Sequence, residues 1–134
     1  MRLALIGYGA MGRLVSNLVT SQGRADNDEI GVTLTSRDAS QSVRDLASSL
    51  RGHDVAIDFS VGTAVIKHVR ACALAAVPLV EGTTGWKEQE AEARQIVNEH
   101  NAALVYGANF SIGVNIFYRI VAHATKLMTG IDEY

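Results

Sequence analysis

The chain is poor in the residues that usually complicate a reading: one Cys, one Pro and one Trp among 134 residues, with aromatics at 6%. Cys72 has no partner within the chain, so no internal disulfide forms. Set among apolar residues of a helical stretch, it reads as a small core residue rather than a nucleophile, as expected in a reducing cytoplasm. No Pro-rich linker, internal repeat or low-complexity stretch divides the chain. No apolar run reaches about 18 residues and no secretory pattern opens the sequence, so neither a membrane span nor export is expected. Lys and Arg form no cluster and the formal net charge is −2. That excludes nucleic acid, whose phosphates require a basic face, and leaves a small molecule as the expected partner.

What the chain has is apolar content. At 48% hydrophobic, residues 1–134 suffice for one α/β domain with one core, but not for two. Leu3-Ala4-Leu5-Ile6 opens into Gly7, Gly9 and Gly12 at the G-x-G-x-x-G spacing, and Leu14, Val15, Leu18 and Val19 follow at helical spacing. This is the opening of a dinucleotide-binding βαβ unit: Gly7 for a tight turn, Gly9 for close approach to a pyrophosphate, Gly12 for helix-to-strand packing. The new helix carries no carboxylate in its first turn but does carry Arg13. A cation there is unfavourable beside the helix dipole unless phosphate binds close by; otherwise Arg13 simply extends into solvent.

Strand-like runs at Leu3–Ile6, Ile30–Leu34, Val55–Phe59, Pro78–Val80 and Ala103–Tyr106 alternate with helical patterns near 10–22, 41–50, 62–76, 87–100 and 113–128. Alternation of this kind predicts a Rossmann-type, doubly wound parallel sheet of about five strands with helices on both faces. The strands are apolar throughout, as for strands buried on both sides. Right-handed crossovers favour the order 2-1-3-4-5, one edge strand short of the usual six, with the ligand crevice between the first and third strands.

The end of the second strand distinguishes the two nicotinamide dinucleotides, because an Asp or Glu there holds the ribose 2′-OH and repels a 2′-phosphate. Here Thr35, Ser36 and Arg37 occupy it. Two hydroxyls and a guanidinium predict a preference for NADPH over NADH, although a shift of one or two residues would put Asp38 at the ribose. Two later segments are more distinctive: Glu81-Gly82-Thr83-Thr84-Gly85-Trp86 after the fourth strand, and Ala108-Asn109-Phe110-Ser111-Ile112-Gly113-Val114-Asn115 after the fifth. The first offers neutral hydrogen bonds to a carboxamide or is a tight turn with capping hydroxyls; Asn109 and Ser111 of the second could merely cap the helix that follows.

With Asp54-Val55-Ala56-Ile57-Asp58-Phe59-Ser60 added, these segments run in order over essentially the whole chain, which thereby resembles the 4-hydroxy-tetrahydrodipicolinate (dihydrodipicolinate) reductase family of lysine and diaminopimelate biosynthesis. The resemblance implies an NAD(P)H-binding domain in which Gly7, Tyr8, Gly9, Ala10, Met11 and Gly12 cradle the pyrophosphate and Phe59 and Ser60 flank the dinucleotide. It further implies that Gly82, Thr83 and Thr84 meet the nicotinamide carboxamide, that Ala108, Asn109 and Phe110 also touch cofactor, and that Thr84, Asn109 and Ser111 approach the substrate. Arg13, Ser36 and Arg37 are the candidates for the extra phosphate.

The sequence departs from the family in one respect. The family's catalytic segment, E-x-H-H-x-x-K-x-D-x-P-S-G-T, is not among these residues; His53, His68, His100 and His123 are scattered and read as helix-surface or loop histidines. No catalytic residue and no metal ligand is therefore assigned. The resemblance implies a dicarboxylate substrate held by a second half and a family homotetramer built on it. This chain alone is expected to bind cofactor without turnover, as a monomer or weak dimer in the cytoplasm. A stand-alone NAD(P)-binding sensor would use the same fold. A short-chain dehydrogenase fails, since Ala122 stands where Tyr118 would need a Lys, and a P-loop hydrolase fails for want of its motif.

Overall fold

A computed structural model describes residues 1–22 and 27–129; residues 23–26 and 130–134 of the expected domain lie outside the described residues. Five strands, β1 (Arg2–Ile6), β2 (Glu29–Leu34), β3 (Val55–Asp58), β4 (Leu79–Glu81) and β5 (Leu104–Tyr106), form one parallel sheet in the order β2-β1-β3-β4-β5. Helices α1 (Ala10–Gln22), α2 (Val43–Leu50), α3 (Val65–Ala75), α4 (Glu90–Glu99) and α5 (Ile112–Met128) follow the strands in turn. The sequence thus gives the strand order and every element to within about three residues at each boundary.

Helices α2 and α5 start at side-chain caps, and α3 is fixed by its buried stripe. Ser42 and Asp45 close a capping box on α2, and Leu46, Ala47 and Leu50 then point inward. In α3, Val65, His68, Val69 and Cys72 recur at the 3–4 residue spacing that makes one buried stripe. Ser111 Oγ accepts from Val114 N at 3.3 Å to start α5.

The pairing register sorts strand residues into two faces. Ala4, Ala56, Leu79 and Leu104 stand side by side on one face, and Leu5, Ile57, Val80 and Val105 on the other. Right-handed crossovers put α2, α3 and α4 on the first face, because all three connections run toward β5, and α1 on the second, because β1 to β2 runs the opposite way. The core reflects this: Leu46, Leu50, Val65, Val69, Cys72, Ala93 and Ile96 from those three helices join Ala4, Ala56 and Leu79 in one cluster. The expectation that every strand is buried on both sides is therefore corrected. Val105 is 60% exposed and β2 is only half-buried although α1 packs on β1 and β2, and none of α5's residues is buried.

Candidate functional site

The carboxyl ends of β1 and β3 part where the strand order reverses, and the chain turns sharply there. Gly7 has φ +89°, and a Cβ on it would lie 2.6 Å from the Phe59 carbonyl oxygen. A Cβ on Gly12 would lie 2.1 Å from the Gly7 carbonyl oxygen, so α1 can sit this close to the turn only without a side chain at that position. At Gly9 nothing lies within 4 Å of an added Cβ. Its backbone faces open space, in front of an α1 N-terminus that has no acidic residue in its first turn.

That space is a cleft of about 420 Å³ lined by Gly7, Tyr8 and Gly9 from the first loop, Leu34–Ala39 save Arg37 from the second, Phe59, Ser60 and Val61 from the third, and Ala64, Lys67 and His68. Ala10, Met11, Gly12 and Arg13 form the first turn of α1 beside it. Ser36 is in the wall. Arg37 is exposed and outside it, whereas Asp38 turns inward, because Thr35 and Asp38 form a capping box around a single 3₁₀ turn. The Asp38 carboxylate accepts from Thr35 N at 2.8 Å and from Gln41 Nε2 at 2.8 Å. The cation in the wall is Lys67, whose Nζ donates to the Ala39 carbonyl at 2.6 Å and which sequence reasoning missed.

A second recess of about 280 Å³ lies at the ends of β4 and β5, lined by Thr83, Thr84, Gly85, Trp86, Lys87, Glu90, Tyr106, Gly107 and Ala108. Gly82 stands between the two hollows: a Cβ there would lie 2.1 Å from the Phe59 ring, so ring and backbone are in direct contact. Tyr106 donates its hydroxyl to Glu90 at 2.7 Å, and Arg94 donates to the same carboxylate. Asn109, Phe110 and Ser111 line neither hollow. Asn109 Oδ1 accepts from Ser111 N at 2.8 Å, and the Asn115 amide donates to the carbonyls of Asn109 and Ser111, so these polar groups organise the start of α5.

Beneath both hollows lies a buried polar cluster. Asp58 and Glu81, the last residues of β3 and β4, are neighbours in register and fully buried. Asp58 Oδ2 accepts from His68 Nδ1 at 2.6 Å and Asp58 Oδ1 from Ser60 N at 2.8 Å; Glu81 Oε1 accepts from Thr83 N at 2.7 Å. Burial, and then the charge of Asp58, push the Glu81 carboxyl up to about 8. Cys72, behind them on α3, is pushed up to about 12 by burial and the same two carboxyls, which leaves an inert thiol.

One of the four histidines corrects the sequence reading: His68 is on the inward stripe of α3, paired with Asp58, whereas His53 is in the loop before β3, buried with Nδ1 at 2.8 Å from the Leu50 carbonyl. The signal for His68 was present, since Val65, Val69 and Cys72 flank it at core spacing; so was the signal for the carboxyl pair, an acid ending each of two apolar runs.

Residues 1–110 match the family model described as dihydrodipicolinate reductase, N-terminus. The 4-hydroxy-tetrahydrodipicolinate reductase of Christiangramia forsetii is 36% identical over 134 residues, which is 100% of this chain and 52% of that protein. The enzyme of the same name from Methanocaldococcus jannaschii is 40% identical over 80 residues, 59% of this chain and 29% of that protein. The chain thus spans about half the length of the first of these relatives and less of the second. A putative homoserine dehydrogenase from Archaeoglobus fulgidus superposes with a TM-score of 0.60 at 14% identity, over 79% of this chain and 42% of that one. A likeness at that identity establishes the Rossmann-type fold alone.

Proposed function

The chain belongs to the dihydrodipicolinate reductase family, and from that premise we propose that it is the NAD(P)H-binding half of a cytoplasmic reductase acting on 4-hydroxy-tetrahydrodipicolinate. The observation that carries the reading is the Gly7–Gly12 turn. Its central glycine has an empty 4 Å around the place a Cβ would take, its helix start is free of acid, and both face the cleft at the strand-order reversal. A dinucleotide's pyrophosphate fits that cradle, its adenosine end lies toward Ser36, Asp38 and Lys67, and its nicotinamide end toward Phe59, Gly82 and Thr84. When bound, the reduced nicotinamide supplies hydride. The chain's own part is to orient the ring with Thr83, Thr84 and Ala108 and to hold the dinucleotide along the strand ends. We place Asn109 and Ser111 on the substrate side through the loop they shape.

Chemistry needs more. Reduction of an imine leaves charge on nitrogen and calls for a proton donor and cationic clamps on two carboxylates. The second recess contains one ammonium, Lys87, and a carboxylate, Glu90. We therefore assign the remaining groups to the half of the relatives that these residues do not cover, and expect the 134-residue chain to bind cofactor without turnover.

Preference for NADPH is part of the reading. Ser36 and Lys67 are in the wall, Arg37 lies just outside it, and the Asp38 carboxylate already accepts hydrogen bonds on both oxygens. Calorimetric or fluorescence titration tests both points. Both dinucleotides should bind, NADPH more tightly. Lys67→Ala should weaken NADPH by about ten- to a hundredfold, in keeping with ~1.5–3 kcal/mol for a charge-assisted bond, and Arg37→Ala less. No signal with either dinucleotide at millimolar concentration would overturn the assignment; equal losses for both in Lys67→Ala would overturn the preference.

A further inference from the structure

The loops that face the two halves of the cleft are fastened to the same pair of buried carboxyls. Ser60 N is held by Asp58 Oδ1 at 2.8 Å and reaches Thr83 Oγ1 at 3.1 Å, while Thr83 N is held by Glu81 Oε1 at 2.7 Å and Thr83 O accepts from Trp86 Nε1 at 2.8 Å. Neither carboxyl lines either hollow; both hold groups of residues that do, the Ser60 and Thr83 backbone N–H and the His68 ring. Asp58 has donors for both oxygens, from Ser60 and His68, whereas Glu81 Oε2 is buried with no hydrogen-bond partner. Two carboxylates side by side at full burial cannot both carry charge cheaply, and the one with an oxygen left without a donor is the one that keeps a proton.

Resting on the cofactor assignment above, we propose that Asp58, Glu81 and His68 are positioning residues for the dinucleotide, with Glu81 as a neutral acid whose proton lets the β3 and β4 loops stand together. The other titratable groups around Glu81 are on α3 and β5. Cys72 and His68 face the pair from α3, and the Cys72 thiol is pushed up to about 12. Tyr106, its register neighbour on β5, directs its hydroxyl to Glu90, which Arg94 also holds. No Lys or Arg contacts the pair among the described residues.

The sign follows from the shift. The Glu81 carboxyl is raised from 4.5 to about 8, so its contribution to stability is complete below the unfolded value and falls away as pH climbs toward the folded one. Above it, a second charge appears beside Asp58 and drives apart the strand ends that carry Ser60 and Thr83. The dissociation constant for NADPH should therefore be flat below about pH 8 and rise about tenfold per unit above it.

NADPH titrations from about pH 6 to about pH 9.5 test this on the wild-type chain, with circular dichroism at each pH to register folding. Glu81→Gln keeps a neutral group of the same shape, so the profile of its dissociation constant against pH should stay flat throughout. Asp58→Asn, which weakens the acceptor for Ser60 and His68, should raise the constant about tenfold at neutral pH. A wild-type profile flat to about pH 9.5, or a Glu81→Gln profile that bends like the wild type, overturns the proposal while leaving cofactor binding intact. Absence of binding at every pH overturns both together.

Discussion

Across one row of the sheet Ala4, Ala56, Leu79 and Leu104 face the side of α2, α3 and α4; across the next, Leu5, Ile57, Val80 and Val105 face the side that carries α1. Exposure along the second row climbs from 0% at Leu5 to 60% at Val105 as the sheet runs away from α1. Helix α5 is unfinished too. Ile116, Phe117, Ile120, Val121 and Leu127 make a broad apolar arc on it, and every one is exposed. The contrast teaches that a sheet's two faces need not share the work: stability is concentrated where three helices interlock, while the other face keeps apolar surface of the kind that marks contact with more protein.

The largest test of that contrast is a pair of truncations. Leu50→Ala, at a fully buried site between α2 and the sheet, should cost about 2–5 kcal/mol by urea unfolding. Leu127→Ala, equal in chemistry but 67% exposed, should stay within about 0.5 kcal/mol. Equal costs would erase the distinction between the faces. A smaller effect sharpens it from the packed side: Ser42→Ala removes the cap that starts α2 and should cost about 1 kcal/mol, with Ser42→Asp restoring most of it. The smallest concerns the open side. Ile120→Lys and Val105→Lys should leave unfolding midpoints nearly unchanged yet lower the fluorescence of a bound apolar dye, and Ala47→Ser on the packed face should leave the dye signal where it was.

Much of this was legible in the residues because the signals were local. Short apolar runs bounded by Gly, Asp and Thr give the strands, 3–4 residue spacing gives the helices, and crossover handedness leaves few orders. The coverage of each face was not legible, since an apolar strand states that it wants burial and not how many helices arrive. The dinucleotide side turned on one residue. Thr35 and Asp38 have the spacing of a capping box, which rotates Asp38 into the cleft and Arg37 out of it; a reading by composition alone puts weight on the guanidinium. The Asp58–His68 pair depends on β3 and α3 packing at one angle, and only the assembled fold brings side chains ten positions apart to 2.6 Å.

Because β1 is hydrogen-bonded on both edges, a ribosome delivers its two neighbours at different moments. β2 is complete at Leu34, but β3 closes the other edge only at Asp58. At about 5–20 residues per second the interval of roughly 24 residues is about 1–5 s. Through it, Ala4 and Ile6 remain wet on the side that will carry three helices, and Gly7 lacks the Phe59 carbonyl against which it later sits. The nascent chain thus shows its glycine turn well before it has a cleft, and a dinucleotide can add nothing to its folding until the third strand has left the exit tunnel.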